Sequence, residues 1–306
     1  MHSFIIRLAL LGVLLLSAAQ AMAQAPGSGP WSFRIEGGFA VQSDADLKDE
    51  AGAFSVDRTF VGAAVDYTWD YRNAIGVSVG GGESDYDFED FAGFTEIGPW
   101  GEIEDTRASI SGRFGFGEKG IGFLIPTIRF NGEKGADSGD SSTWGLFAGA
   151  AWIIDKDLTI GPGFGIFSRL EDSTRFFPIL IVDWNISERW NLSTGRGLAA
   201  SQGPGLTLTF QASKAFSLGL AGRYEENQFR LDDEGEAPGG VGRDKSLPLV
   251  LTAAWEPNRT VRVALLAGLE FAGKLKLEDE SGQTIAEHKY DPAPVYGATF
   301  EFRFGN

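Results

Sequence analysis

The 306-residue chain contains no cysteine, which rules out disulfides and thiolate metal sites as contributors to its fold or chemistry. Positive charge is also scarce. Against 42 Asp and Glu there are 26 Lys and Arg, a formal net charge of −16, with no basic run. That balance argues against a nucleic-acid partner, because neutralising phosphates needs clustered cations. Histidine occurs twice, at His2 and His288, so general-base chemistry has few candidates. Beyond Gln24, capped helical periodicity is hard to find, and no stretch approaches the roughly 20 apolar residues of a membrane helix.

One apolar run is present, at the start. Met1 to Arg7 carries a positive charge, Leu8 to Leu16 (LALLGVLLL) is unbroken, and Ala21-Met22-Ala23 supplies the small–x–small pattern before Gln24. Residues 1–23 therefore read as a cleaved export signal, and 24–306 as the mature protein.

The mature chain is dominated by alternation. In RTFVGAAVDYTWD, Val61, Ala63, Val65, Tyr67 and Trp69 share a face; in STWGLFAGAAWIID, Trp144, Leu146, Ala148, Ala150, Trp152 and Ile154 do. Such segments predict strands of about ten or more residues, longer than those of most soluble sheets. Six connections are short, near Tyr71, Glu118, Lys156, Glu188, Lys214 and Pro257. Longer polar ones interleave with them: Ser43 to Asp57, Glu83 to Glu104, Gly132 to Ser141, Glu171 to Arg175, Ala199 to Gly203, Leu231 to Lys245 and Lys274 to Tyr290. Six turns and seven loops separate fourteen strands, with twelve or sixteen as alternatives. Trp69, Trp152, Trp184, Trp190 and Trp255 lie beside the short turns, as aromatics at a headgroup level do.

These features predict an all-β fold, a closed antiparallel transmembrane β-barrel of about fourteen strands. Closure is required in hydrocarbon, where each unpaired edge group costs several kcal/mol. A soluble export-type β-sandwich shares the alternation but does not account for the short/long rhythm or the gathered tryptophans.

The closing stretch YGATFEFRFGN sharpens the expectation. Its alternating aromatics, Tyr296, Phe300, Phe302 and Phe304, resemble the last strand of Gram-negative outer-membrane β-barrel proteins, departing from it in Gly305-Asn306. The resemblance implies a location in the bacterial outer membrane, contact with its lipid and lipopolysaccharide, and recognition of the terminal aromatics by the barrel-assembly machinery. FFPILIVDWNI is similar to a stretch of uncharacterised barrels.

If the aromatic faces meet lipid, the opposite parity faces the lumen. That set supplies the pore-lining candidates Arg34, Glu36, Arg113, Arg129, Asp183, Arg223, Glu225, Arg262, Glu270, Glu301 and Arg303, together with Arg107 and Arg169. Mixed charge fits a channel or transporter for small solutes; it also fits a non-transporting barrel plugged by salt bridges. Gly161, Gly163 and Gly165 share the inward face of one strand and leave space for a loop or ligand. No cofactor or metal is implied: the acidic loops lack calcium-loop spacing. A barrel enzyme would have to use His288, which reads as a solvated loop residue, and Gly76-Val77-Ser78-Val79-Gly80 sits in a strand instead of at a nucleophile elbow.

Overall fold

The computed structural model describes residues 29–48, 52–90, 98–194, 205–235 and 237–305. The expected export signal, residues 1–23, lies outside them. In chain order the strands are β1 (Trp31–Asp46), β2 (Ala53–Asp70), β3 (Asn73–Glu89), β4 (Glu102–Phe116), β5 (Gly120–Glu133), β6 (Ser142–Ile153), β7 (Leu158–Arg169) and β8 (Asp172–Asn185). They continue as β9 (Trp190–Thr194), β10 (Gly205–Gln211), β11 (Phe216–Arg223), β12 (Glu225–Arg230), β13 (Val241–Trp255), β14 (Val261–Glu278), β15 (Thr284–Lys289) and β16 (Ala293–Gly305). Fourteen of them close an antiparallel barrel: β1 to β11 follow one another, then β13, β14 and β16, which pairs back onto β1. The six tight turns fall at one end, where the short connections were expected.

One parity of the wall carries the exposed apolar side chains: Val61 and Val65 on β2, Val77 and Val79 on β3, Leu124 and Ile128 on β5, Leu249 and Leu251 on β13, Val263 and Leu265 on β14. The other carries glycine, serine, threonine and charge. An exterior this greasy is unstable against water and matched to acyl chains. Trp31, Trp69, Trp152, Trp184, Trp190 and Trp255 are all exposed near the turns, and Trp144 marks the other rim. Replacing Leu265, which is 62% exposed on the outer face, by arginine is expected to cost about 2–4 kcal/mol, as for a cation near the bilayer midplane. Denaturant unfolding in lipid vesicles measures this. A loss below about 0.5 kcal/mol would place that face against water or protein.

The barrel does not keep its girth. Pairing shifts between Gln42 and Ala45 on β1, between Lys245 and Leu247 on β13, and at Ala272, whose φ is 54°, on β14. Bulges bend strands, and Gln42 is in register through Val295 with Gly268, three to four positions before Phe271 and Ala272, so all three lie toward the end of the wall opposite the tight turns. Beyond them the strands re-form as a narrower ring. It runs through β1, β2, β3, β4, β5, β12, β13, β14 and β15, closed by a parallel bridge of Arg230 to Gly132 and a bridge of Leu47 to Tyr290. Among the described residues β6 to β11 take no part in it, and β9, β10 and β11 are described over five, seven and eight residues.

The ring corrects the expected loops. Parts of Ser43 to Asp57, Glu83 to Glu104, Leu231 to Lys245 and Lys274 to Tyr290 are strand, not loop. Their alternation is inverted in sign. On β3, Tyr86 points into the ring with Phe54, while Asp85 and Asp87 are exposed. Outside the bilayer the solvent is water, so the charged parity turns outward and the apolar parity inward. Phe54, Val56, Tyr86, Trp100, Ile103, Phe229, Leu275, Leu277 and Tyr290 thus make a conventional buried core within the ring. Trp100, 4% exposed, is the one tryptophan that belongs to this core. His288 is likewise on a strand, in register with Leu275, and not in a solvated loop.

Candidate functional site: the lumen and its cap

At the turn end the lumen is charged and open to solvent. β1 places Arg34 and Glu36 on the inward parity, 3.8 Å apart and each about two-fifths exposed, in register with Arg303 and Glu301 of β16. Arg303 pairs with Glu301 and reaches Glu256 at 3.9 Å, and Arg262 on β14 lies opposite Glu301. Arg113 sits on β4 in register with Ala74, close to the turns. Higher up, Arg129 pairs with Asp105 and donates to Asn227 at 3.1 Å. Asp183 accepts from Asn191 at 2.8 Å, and Arg223 pairs with Glu225 where β11 passes into β12. By register these residues fall on the parity opposite the exposed apolar side chains of their strands. The structure does not gather them into one constriction: they form a turn-end ring on β1, β14 and β16, a separate pair on β4 and β5, and isolated groups elsewhere.

Glu270 belongs to something tighter. At the bulge level Arg58 of β2 donates to Glu270 at 3.3 Å, to Asp244 at 3.3 Å and to Gln42 at 3.4 Å. The same Oδ2 of Asp244 accepts from the Tyr86 hydroxyl and its Oδ1 from the Tyr290 hydroxyl, at 3.0 Å each. Asp244, Glu270 and Gln42 are buried. A carboxylate inside protein is tolerable only when paired and fully hydrogen-bonded, and this one has a guanidinium and two phenols. The hub forms the floor of the apolar core: Tyr86 and Tyr290 stand in the core and dip their hydroxyls into the polar layer. Above them Phe54 meets Tyr290 edge-on at 4.9 Å, and Trp100 meets Phe229 at 5.2 Å. Together, hub and core cap the lumen over β1 to β5.

The wall of β5 to β8 is built differently. Phe123, Phe147, Phe167, Phe177 and Ile181 lie on its inward parity over glycines. Gly161, Gly163 and Gly165 do face inward, but the space at Gly165 holds the ring of Phe177, and that at Gly163 the side chain of Ile181. Neighbouring strands, and not a loop, fill the room those glycines leave.

Sequence reasoning missed Arg58, Tyr86, Asp244 and Tyr290. Their partners stand 16 to 212 positions away, on other strands, so no local spacing marks them. Ser281 donates its hydroxyl to Asp279, and Ser78 lies within β3.

No protein-family model matches the chain, and no curated protein does. Among solved structures it is similar to an outer membrane channel from Pseudomonas putida F1, with TM-score 0.52 at 8% identity over 92% of this chain and 97% of that one. It is also similar, at lower scores, to the P. putida toluene transporter TodX (TM-score 0.47, 8% identity, 92% and 91% covered) and to the KdgM porin (0.35, 7%, 88% and 98%). The fold is that of Gram-negative outer-membrane barrels. At these identities the likeness extends to fold alone, and the chemistry must be argued from the lumen.

Proposed function

We propose that this barrel is an outer-membrane channel for small solutes, its lumen charges setting which ones pass. The observation that carries the reading is the turn-end lumen. Arg34, Glu36 and Arg303 stay roughly two-fifths to one-half exposed inside a fourteen-stranded wall, a girth that leaves inward side chains in contact with water. A barrel stabilised only by internal packing would bury such groups in closed pairs. The comparisons favour the same reading at the level of architecture, since a fold carries many functions.

The cap supports a second reading, a non-transporting barrel with a plugged lumen. Planar-bilayer recording separates the two. Stepwise conductance from the purified chain, with a selectivity that changes when Arg34 and Arg303 are both replaced by glutamine, is the expected result. Silence from both the intact chain and a variant whose cap is loosened would leave the plugged barrel standing.

A further inference from the structure

Between β4 and β7 the lipid-facing surface is dented. A groove of about 480 Å³ runs there, with Ala148 and Ala150 in its bed, Phe114 and Leu124 on one bank and Pro162 and Phe164 on the other. Register explains the shape. Ala148 lies between Leu124 and Phe164, and Ala150 is paired with Gly122, over which the Phe114 ring lies. On the lumen side Phe123 and Ile181 fill the place that a Gly149 side chain would take, so the bed is backed by packed side chains.

A dent in a wall that faces hydrocarbon is filled by hydrocarbon, because an empty one forfeits the dispersion contacts of its lining. Hydrophobicity gives no preference for this place, since bulk acyl chains are as apolar as the groove. Holding one particular lipid therefore needs a fixed point at the headgroup level. The foot of the groove supplies it. Phe116 and Trp152 meet edge-on at 5.8 Å and mark the interface, and Trp152 is two positions from Ala150. Just beyond, the β4–β5 and β6–β7 turns carry Lys119 and Lys156 and touch each other. The Ile153 amide donates to the Lys119 carbonyl at 2.9 Å, and the Lys119 ammonium donates to the Ile154 carbonyl at 3.4 Å. The Lys156 side chain is 90% exposed, with Asp157 at 3.8 Å, while Asp155 is turned onto its own turn and accepts from the Asp157 and Leu158 amides at 2.8 and 2.9 Å. From Ala150 to Ile154 the tilted strand rises about 10 Å, close to the depth of one headgroup layer.

We propose that this groove and its two lysines form a site for one anionic phospholipid, with an acyl chain along Ala148 and Ala150 and the phosphate at Lys119 and Lys156. Tight turns are periplasmic in such barrels, so the ligand comes from the phospholipid leaflet and not from lipopolysaccharide on the opposite face. The site requires only the membrane placement of the wall and is independent of conductance.

The test is native mass spectrometry of the full barrel, delipidated in detergent and titrated with palmitoyl-oleoyl phosphatidylglycerol. One lipid is retained saturably, and diacylglycerol with the same chains binds about fivefold or more weakly. Ala148→Phe with Ala150→Phe fills the groove, and Lys119→Gln with Lys156→Gln removes the fixed point; each pair weakens retention about fivefold or more. Val77→Phe with Val79→Phe adds the same rings to the exposed outer face of β3 and leaves retention unchanged. Heat-modifiable migration on gels confirms that each variant is folded. Equal retention by all variants would mean an unselective lipid annulus and overturn the site. A dimer that the groove-filling pair dissolves would overturn it too, by making the groove the seat of a second copy. Lipid A retained more tightly than phosphatidylglycerol, and lost with the same changes, would place the ligand in the other leaflet and refute the assignment.

Discussion

Asp244→Ala is expected to destabilise the barrel by about 3–5 kcal/mol, the range for removing one partner of a buried charge pair. The change takes an acceptor from three groups at once. Arg58 keeps Glu270 but loses its second anion, the Tyr86 hydroxyl loses its acceptor inside the ring, and the Tyr290 hydroxyl keeps only the Lys245 carbonyl at 3.5 Å. A stranded hydroxyl contributes about 1–3 kcal/mol on its own, less whatever water recovers by entering. Asp244→Asn keeps one acceptor oxygen and is expected to cost roughly half as much. Denaturant midpoints in vesicles give both values. The same variant reports on function: with its floor gone, the core of Phe54, Trp100 and Phe229 loses its anchorage, and the alanine variant is expected to show larger or more frequent openings than the intact chain. A loss below about 1 kcal/mol would mean that the ring is held by its apolar packing and that Asp244 is incidental.

The barrel itself could be read in advance because its determinants are periodic. Val61, Ala63 and Val65 repeat every second residue, short turns alternate with long polar connections, and tryptophans stand beside the turns. Lipid contact is a property of one strand at a time, so one strand's residues suffice to show it. The cap is a different kind of object. SDYDFED keeps the period of two, yet its apolar members Tyr86 and Phe88 are outnumbered by acids, and an acidic stretch between long strands reads as a loop. What marks it as strand is the inversion of polarity with height, visible only once the bilayer's edge is known. The hub is less accessible still. Asp244 sits in VGRDKS, where nothing distinguishes it from the solvated carboxylates of the neighbouring LDDEGE, and its importance comes from side chains 46, 158 and 186 positions away. The lumen candidates fall between these cases: their inward parity followed from alternation, but their division into a turn-end ring, a mid-wall pair and the cap floor needed the register of every strand.

Ending the chain at Asp291, which removes β16, is expected to abolish the folded barrel. β16 is paired on both sides, with β1 from Ser32 and Gly305 to Gln42 and Val295, and with β14 from Val261 and Phe302 to Glu270 and Ala293. Its loss would expose two edges, and several kcal/mol for each unpaired backbone group in hydrocarbon exceeds the whole stability of an ordinary domain within a few residues. β1 and β14 cannot simply meet instead. Their inward residues would have to pair without the Glu301 carboxylate that lies between Arg262 and the Arg34–Glu36 pair. Refolding into vesicles, read by heat-modifiable mobility and protease protection, tests this: a protected species from the shortened chain would refute closure through β16. Phe304→Ala separates the strand's two possible duties. The ring is on the outer, lipid-facing parity near the turns, where trimming it costs about 1–3 kcal/mol of apolar burial. The variant should therefore still refold in vitro, so a selective loss of insertion in cells would assign the missing part of the effect to recognition of the aromatic terminus during assembly and not to the stability of the barrel.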